Sequence, residues 1–574
     1  MRVRFALALP RTQSTVRVFA DAASPEAILT NRPTLWIDEC TPTVTLANHG
    51  RVLGVLFDKS TGSTSLEPGL HVPQQSSAQD VAEFLIKQYW GAYVAILHDP
   101  GDGPAAILVD PSGFLPVYRY EGRDHIILTT DPALFSLRPS YTDIGVHLLR
   151  PELRQASTCL IDVDEIPPGS ISPLRPMRSA PLQLWKAADH FPVSVPHFED
   201  ATAVLREVSR SVLKSWSGVF GQTVVAASGG VDSSLICAAL AEADATFDCV
   251  TVGTADRSGD ERPYARAVAE KLGVQCLFRT FDPTRFDPDG SASGNIPRPA
   301  RRAFLKTLDG ALESAREEVR AAVVMDGNFG DNLFCLLHSA APVADHLRTE
   351  GLKAGSIATL LDMCRVTDCS IATMVAATVG RLRNREGGDP WPPDIRLLNP
   401  DLVPADPKPL TVWPHCGSGR RSGSHDHLRL LMHAQNHVHG VTGDLRRFSP
   451  LASQPLVEFC LSVPTWLWAT GGRNRAVARA AYSDTLPPAI VARTSKAGPD
   501  SYIRGAFVAH RSRIRSRLLD GLLAAHNLLD VPALEVALRV DESKDDFLID
   551  RVFDLLEAEN WARLWHEHGS IRTA

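Results

Sequence analysis

The chain has 574 residues, of which 44% are hydrophobic and 22% are charged. This composition is that of an ordinary globular protein and excludes the collagen-like, disordered and coiled-coil classes. The 59 basic and 66 acidic residues give a net charge of −7. General nucleic-acid binding is therefore disfavoured, because no overall positive field attracts phosphate backbones. The ten cysteines form no CxxC pair, and no apolar run is long enough to span a bilayer, which together predict a cytoplasmic protein with reduced thiols and no membrane partner.

The chain up to about residue 165 contains short strand-like runs separated by turn signals. Examples are TLWIDE, RVLGVLF, GAYVAILHD, PAAILVD and HIILTT. These runs predict a β-rich first domain. The proline-rich segment 166–196 is expected to lack regular strand pairing and to cross between domains. We therefore place the domain boundary near residue 190, which gives domains 1–190 and 191–574.

After this boundary, predicted strands alternate with predicted helices. Such alternation indicates βαβ crossovers and a parallel sheet. The predicted elements are the strand TVVAA (223–227), a helix at 232–243, the strand CVTVG (249–253), a helix at 262–272, the strand VQCLFRTF, a helix at 312–319 and the strand AAVVMD.

The run VVAASGGVDSSL, residues 224–235, leads from a buried strand through two glycines into a helix. Glycines allow a tight turn, while hydroxyl groups and the positive helix N-terminus favour an anion. The run is not a Walker loop, because no Gly-Lys-Ser/Thr follows. Since Asp232 would repel bare phosphate, the sequence also implies a divalent cation such as Mg²⁺. The predicted pyrophosphate cradle consists of Ser228, Gly229, Gly230, Asp232, Ser233 and Ser234.

A second acidic motif, GNFGDNLF (327–334), follows the predicted strand AAVVMD. Open α/β sheets build their ligand crevice at the carboxyl ends of parallel strands. Both acidic motifs are predicted to lie there. We therefore expect Asp232 and Asp331 to share one metal ion.

SGGVDSS resembles the signature of the ATP-pyrophosphatase (PP-loop) families, which split ATP between the α and β phosphates. Combined with the later GD motif, it resembles asparagine synthetases, β-lactam synthetases and lasso peptide cyclases. Other segments agree in order, including DERPYARAVAEKLG, SPLASQPLVEFCLSVP, GGRNRAVARAA and LPPAIVARTSKAG, and in the first domain WGAYVAIL, DPSGFLPVYRY and EIPPGS. The resemblance implies an α/β protein that uses ATP and Mg²⁺. Its N-terminal part would be a degenerate glutaminase-like (Ntn) β-sandwich domain, and its C-terminal part a PP-loop (adenine nucleotide α-hydrolase-like) parallel-sheet synthetase domain.

Three departures separate this chain from some of these relatives. Glutamine-using members carry a cysteine directly after the initiator methionine, whereas this chain has Arg2 and its first cysteine is Cys40. The glutamate of the asparagine synthetase motif GEGSDE, which is a tyrosine in β-lactam synthetases, is replaced by Asn328, and an asparagine cannot act as a general base. The aspartate of the motif PFLD is also missing, because residues 450–453 read PLAS. The stretches PLASQPLVE and GGRNRAVAR then favour a resemblance to lasso peptide cyclases.

The resemblance also suggests roles for individual residues. Lys496 would lie near the reacting carboxyl group and the α-phosphate and stabilise developing charge, which makes it a predicted catalytic residue together with Asp232 and Asp331. Arg479 is a candidate phosphate ligand, with a surface ion pair as the equal alternative. The residues that would contact adenosine are Ala227, Val252 and Gly327.

The favoured function is closure of a macrolactam by ATP-dependent adenylation of an Asp or Glu side chain of a precursor peptide, followed by attack of that peptide's own N-terminal amine. The resemblance implies two partners, a peptidase that removes the leader and a small leader-binding protein. Two alternatives stay open at this point. One is an amide ligase, like asparagine or β-lactam synthetases, that acts on a small amino acid, and the other is a non-catalytic scaffold.

A histidine-rich stretch offers a competing metal site. His433 and His437 stand at i and i+4, a spacing that can hold zinc, and His425, His427 and His439 lie nearby. Ala434 stands where a zinc protease would need a glutamate. A zinc site is therefore disfavoured.

Overall fold

The computed structural model describes most of the chain, and every statement about structure below refers to these residues. They are residues 3–10, 16–18, 27–29, 33–64, 76–99, 104–174, 180–254, 260–299, 302–383, 389, 391–402, 409–410, 422–438, 446–494, 498, 500–539 and 546–573.

The strands of the described residues form three larger sheets and one two-stranded ribbon. In chain order they are β1 (Phe5–Pro10), β2 (Val16–Val18), β3 (Ala27–Leu29), β4 (Thr34–Ile37), β5 (Thr43–Thr45), β6 (Gly50–Asp58), β7 (Tyr89–His98), β8 (Pro104–Val109), β9 (Val117–Glu121), β10 (His125–Thr129), β11 (Val163–Ile166), β12 (Ser170–Pro173), β13 (Leu182–Gln183), β14 (Thr223–Ala226), β15 (Phe247–Gly253), β16 (Cys276–Thr280), β17 (Val323–Asp326) and β18 (Arg447–Phe448).

The α-helices connect and cover these sheets. No helix of the described chain is long and apolar enough to cross a membrane. In chain order the helices are α1 (Ala78–Gln88), α2 (Tyr141–Leu149), α3 (Phe198–Phe220), α4 (Val231–Glu242), α5 (Arg262–Leu272), α6 (Leu305–Glu318), α7 (Gly330–Leu333), α8 (Ala341–Glu350), α9 (Ala354–Thr367), α10 (Ile371–Arg383), α11 (Gly423–Val438), α12 (Gln454–Ser462), α13 (Ala476–Ala481), α14 (Pro488–Val491), α15 (Asp500–Leu519), α16 (Leu522–Ala525), α17 (Val531–Arg539) and α18 (Asp546–Thr573).

The chain before α3, called the first half below, forms a sandwich of two antiparallel sheets. The chain from α3 onward is called the second half. Their strand orders are β11-β9-β10-β1-β4 and β13-β12-β8-β7-β6-β5. Side chains alternate across β1, so that Phe5 and Leu7 pack against Val55 of the second sheet, while Ala6 faces a cluster built with α2, α15 and α18. The outer face of the second sheet packs against Leu85 of α1 and its neighbours. The predicted β-rich first domain is therefore confirmed as a sandwich between helices, and its glutaminase-like assignment stays a prediction.

The prediction that segment 166–196 lacks strand pairing is wrong. β12 pairs with β8, and β13 pairs with β12, so both extend the second sheet. Prolines are tolerated here because the pairing is short and lies at the sheet edge, and Pro173 is the last residue of its strand. The predicted boundary at residue 190 falls between β13 and α3. The division into domains 1–190 and 191–574 stays a prediction.

The second half contains the predicted parallel sheet. Its order is β16-β15-β14-β17-β18, and all neighbouring strands pair in parallel. α4 packs on the face that carries Val225, while Leu312 of α6 packs on the face that carries Val224. Helices therefore cover both faces, as the run of apolar residues in β14 requires. α5 has the predicted bounds, because a proline in its first turn and the left-handed Gly273 fix its ends.

An aromatic cluster joins the two halves around Trp216 of α3. The indole is completely buried and donates from Nε1 to Ser453 Oγ at 3.0 Å. Rings of both halves surround it at centroid distances of 4.5 to 6.0 Å, namely Phe57, Trp90 and Phe114 from the sandwich and Phe220 and Phe448 from the second half. The position of the sandwich against the parallel sheet depends on this cluster.

We expect Trp216→Ala to lower the free energy of unfolding by about 3 to 5 kcal/mol, because it leaves a large cavity and removes the hydrogen bond from the indole to Ser453 at the junction. Chemical denaturation followed by circular dichroism measures this loss. The matched control is Val204→Ala on the same helix, where the side chain is 45% exposed. Equal midpoints for Trp216→Ala and Val204→Ala would contradict the role of the cluster.

Candidate active site

The turn after β14 is built to bring the backbone close to a ligand. Gly229 has φ +65°, and a Cβ at this position would lie 2.2 Å from Cβ of Tyr264, so the turn requires glycine. The amide of Ser228 donates to Ser233 Oγ at 3.2 Å, and the amide of Gly230 donates to Ser228 Oγ at 3.3 Å. α4 begins directly after Gly230. The predicted cradle is therefore a tight turn that opens onto a helix N-terminus, the arrangement that favours a phosphate group.

The loop after β17 is pressed against the same helix start. A Cβ at Gly327 would lie 2.7 Å from the backbone nitrogen of Ser233, and a Cβ at Gly330 would lie 2.4 Å from Cβ of Asp232. Phe329, between the two glycines, has φ +78°. This close approach brings the two predicted acidic residues to the same point.

Asp232 and Asp331 meet at one cationic atom. Nη1 of Arg475 donates to Asp232 Oδ2 at 2.9 Å and also contacts Asp331 Oδ1. Asp232 is 4% exposed, whereas the Asp331 side chain is 42% exposed and open to a ligand. The predicted convergence of the two carboxylates is therefore present, and Arg475 is a site residue that the sequence reasoning missed.

The same pair fits the donor set of a magnesium ion. Mg²⁺ is usually bound by one or two carboxylates, with phosphate oxygens and water completing its shell. The described residues contain no group of three or more histidine, cysteine or acidic side chains that could form a full protein cage. A shared ion held by Asp232, Asp331 and a bound triphosphate stays a prediction that this geometry suits.

A cavity of about 320 Å³ opens between these loops at the carboxyl ends of β14, β15 and β17. Side chains of α6, including Leu308 and Leu312, supply an apolar wall. The volume falls at the lower end of the range for drug-sized ligands, and this space is called the nucleotide-sized cavity below. The predicted cofactor-binding residues that line it are Ala227, Ser228, Asp232, Ser233, Val252 and Gly327.

The other predicted cradle residues do not line this cavity. Gly229 and Gly230 shape the turn, and Ser234 is 1% exposed within the first turn of α4. Their part in phosphate binding stays a prediction. Gly229 and Gly230 give the turn the shape that places Ser228 and Ser233.

Arg479 is 5% exposed, so the alternative of a surface ion pair is wrong. Its guanidinium donates to Asn474 O and Oδ1, each at 2.8 Å, and to Val491 O at 2.9 Å. Burial, with a contribution from Arg475, lowers the pKa of Arg479 to about 10. The side chain holds the Arg475 segment against the end of α14, and its phosphate contact stays a prediction.

Lys496 lies outside the described residues, and its role stays a prediction. Arg493, three residues before it, donates to both carboxylate oxygens of Glu261 at 2.6 and 2.7 Å and to Ser228 O at 3.3 Å. The Arg493 guanidinium also lies over the ring of Tyr264, 3.8 Å from its centroid. Gly498, two residues after Lys496, lines the nucleotide-sized cavity. Described residues on either side of Lys496 in sequence therefore contact the cradle or the cavity.

Asp326 is a second residue that the sequence reasoning missed, although it ends the predicted strand AAVVMD. Its carboxylate accepts from the amide and Nδ2 of Asn328 at 3.2 and 3.1 Å, from Arg447 Nε at 2.9 Å and from Ser449 Oγ. Asn328 thus turns back onto Asp326 in the cavity wall. A carboxylate with four donors is already satisfied, so Asp326 shapes the loop and is poorly suited to remove a proton.

Residues 224–335 and 445–566 match the family model described as asparagine synthase. These two stretches are therefore similar to the asparagine synthase family. The two matched stretches contain both acidic motifs, Arg475 and the Arg493 ion pair. The match supports an asparagine synthetase-like, ATP-dependent ligase that forms amide bonds. No curated protein matches the chain.

One residue of the histidine-rich stretch, His427, has a structural role. His427 is 1% exposed, and its Nε2 lies 2.9 Å from Leu333 O, so the ring ties α11 to α7. Burial lowers the pKa of His427 to about 4. His439 lies outside the described residues, and nothing is described of the His437 side chain.

We expect Gly330→Ala to weaken ATP binding about tenfold or more, because the new Cβ would overlap Cβ of Asp232 and overpacking of this kind costs about 1 to 3 kcal/mol. Calorimetric titration with ATP and Mg²⁺ measures the change. Gly218→Ala is the matched control, since a Cβ there has no neighbouring heavy atom within 4 Å. Unchanged affinity in Gly330→Ala would show that the close approach of the two loops is not needed for the nucleotide.

His427 should make the fold sensitive to acid. Its pKa in the folded chain, about 4, lies below the unfolded value of about 6.5, so its neutral form stabilises the fold above pH 6.5 and this contribution is lost as the pH falls towards 4. The midpoint of thermal unfolding should therefore fall less between pH 7.5 and pH 5 in His427→Gln than in the unmodified protein. His526→Gln, at an exposed ring, serves as control. Identical losses in both variants would contradict this role of His427.

Proposed function

We propose that this protein is a lasso peptide cyclase. It would adenylate the side-chain carboxyl of an Asp or Glu in a leader-free precursor peptide and join it to the peptide's N-terminal amine, releasing AMP and pyrophosphate. The observation that carries the proposal is the convergence of the SGGVDSS and GNFGDN loops on Arg475 beside a nucleotide-sized cavity. This arrangement lies within the two stretches that are similar to the asparagine synthase family, and this similarity supports ATP-dependent formation of an amide bond.

The predicted site residues have places in the proposed reaction. The turn Ser228–Gly230 and the start of α4 bind the phosphates, while the wall of α6 excludes water from the nucleotide. Asp232 and Asp331 would hold Mg²⁺, which neutralises the charge of the leaving pyrophosphate. Arg475, already between these carboxylates, keeps them together and adds positive charge beside the phosphate site. Lys496 would stabilise the negative charge that develops as the amine attacks the carbonyl.

The departures from asparagine synthetases support a peptide amine as the attacking group. Arg2 stands where the resemblance places the cysteine that releases ammonia from glutamine. Ser453 stands where the resemblance places the aspartate of PFLD. It is completely buried, accepts from Trp216 and donates to Pro450 O at 2.7 Å. This position therefore packs the junction between the two halves and offers no carboxylate to a small amino acid.

The proposal includes two partner proteins. A peptidase must free the N-terminal amine by removing the leader, and a small leader-binding protein would deliver the precursor. Both follow from the resemblance to lasso peptide cyclases. The contact surfaces for these partners are left open.

The test uses purified protein, ATP, Mg²⁺ and the leader-free form of a precursor peptide encoded beside this gene. The product should be lighter than the peptide by one water, and acetylation of the peptide's α-amine should prevent its formation. Lys496→Ala should reduce the yield of cyclic product by about 10² fold, the loss typical of a missing charge-stabilising group. Asp232→Asn and Asp331→Asn should abolish pyrophosphate release. Lys353→Ala, at an exposed surface lysine, is the control.

Three results would contradict the proposal. An acetylated peptide that still loses water would exclude ring closure through the N-terminal amine. Amide formation on free aspartate without any reaction of the peptide would favour the alternative of a small-amino-acid ligase. Glutamate released from glutamine above a control without enzyme would show an active glutaminase in the first half.

A further inference from the structure

A second cavity, of about 220 Å³, lies between the sandwich and the second half. One wall comes from the first half of the chain and includes Trp185 and Ala188. The opposite wall is one face of α11, where Leu428, Leu431 and Met432 follow the spacing of a single helix face. These three side chains are buried, so the wall is mainly apolar, with Gln435 as its polar member.

This second cavity shares a loop with the nucleotide-sized cavity. Gly327 and Asn328 line the nucleotide-sized cavity, whereas Phe329, the next residue, lines the second one. The backbone has a positive φ, +78°, at Phe329, the point where the loop passes from one cavity to the other. A group bound in the second cavity would therefore contact the loop that carries Asp331.

One buried polar atom among the apolar walls is free to accept a hydrogen bond. Gln454 lines the cavity and is 2% exposed. Its Nε2 donates to Glu458 Oε1 at 2.7 Å, while its Oε1 has no hydrogen-bond partner among the described residues. Glu458 is fixed in turn by Trp185 Nε1 at 2.8 Å. A buried acceptor without a partner is unfavourable, so a ligand with an N–H group beside an apolar group would complete this site.

We propose that the second cavity binds one large apolar side chain of the substrate peptide, with the backbone N–H of that residue donated to Gln454 Oε1. The volume is smaller than that of sites for whole drug-sized ligands and suits a single side chain. An apolar group next to an N–H is the repeating unit of a peptide, and most of the residues that line this cavity are apolar. This inference rests on the peptide cyclase proposed above and names the part of the peptide that the cavity holds.

Capped amino acids test the cavity without ATP and without turnover. The probes are N-acetyl-L-phenylalaninamide and N-acetyl-L-leucinamide, compared with N-acetylglycinamide, and binding to the full-length protein is followed by ligand-observed NMR. The apolar probes should bind about tenfold more tightly or better, because their side chains are removed from water. Equal binding of all three probes would overturn the proposal.

Filling the cavity should remove this preference. Ala188→Phe places a ring in the space and should weaken binding of the apolar probes about tenfold or more. Asp189→Phe adds the same ring one residue along, at an exposed position outside the lining, and is the matched control. If Ala188→Phe fails to fold by circular dichroism, Met432→Trp fills the cavity from the opposite wall. Apolar probes that bind both filling variants as they bind the unmodified protein would overturn the proposal.

The hydrogen bond to Gln454 has its own readout. The unmodified protein should prefer N-acetyl-L-phenylalaninamide about tenfold over the analogue that is methylated on the acetylated nitrogen, since methylation removes the donor. Gln454→Met keeps the side-chain length and removes the acceptor, so this preference should disappear. An unchanged preference in Gln454→Met would exclude Gln454 as the acceptor.

These measurements separate the cavity from the cyclase reaction. If the apolar probes do not bind, only the proposed role of the second cavity is contradicted, because the cyclase reaction is tested independently by the mass of its product. In the cyclisation assay, Ala188→Phe should raise KM for the peptide more than it lowers kcat, and Asp189→Phe should change neither. Probe binding without any cyclic product from the peptide would overturn the peptide as the ligand together with the proposed function.

Discussion

The close approach between the loop after β17 and the start of α4 is the constraint on which the rest of the site depends. Side chains at positions 327 and 330 would overlap atoms of Ser233 and Asp232, so glycine alone permits the contact. Through this contact Asp331 comes beside Asp232, and two carboxylates so close together need a nearby cation. Arg475 supplies that cation. In turn, Arg479 holds the Arg475 segment through backbone carbonyls, so charge at the site is balanced by a segment that begins about 240 residues later in the chain.

The first half of the chain serves this site by packing. Its sheets meet the second half around Trp216. The indole donates a hydrogen bond to Ser453, directly before α12. α12 then provides Gln454 to the second cavity. The sandwich thus contributes one wall of the second cavity, and the Trp216 cluster ties α12, which carries Gln454, to it.

The sequence allowed accurate prediction wherever the signal was local. The strands β14, β15 and β17 are short, largely apolar runs that end at Ala226, Gly253 and Asp326, and α5 is bounded by a proline and a glycine. Strand β18 has only two residues, too few to show the alternation of apolar and polar residues that marks a strand. The strands within 166–196 form despite their prolines because they pair at the edge of a sheet. Arg475 and Glu261 lie in the segments GGRNRAVARAA and DERPYARAVAEKLG, which resemble those of asparagine synthetases and lasso peptide cyclases. Their ion pairs, however, join residues 144 to 243 positions apart, and no local pattern encodes such partners.

The loop 327–331 borders both cavities. A non-glycine residue with positive φ, such as Phe329, costs about 1 to 2 kcal/mol, and packing must hold it in place. Phe329 is 6% exposed and lies among the apolar residues of the core, which supply that packing. Because Gly327 and Asn328 line one cavity and Phe329 lines the other, a shift of the loop would change both linings. A substrate group bound as proposed in the second cavity would therefore contact the loop that carries Asp331, two residues after Phe329.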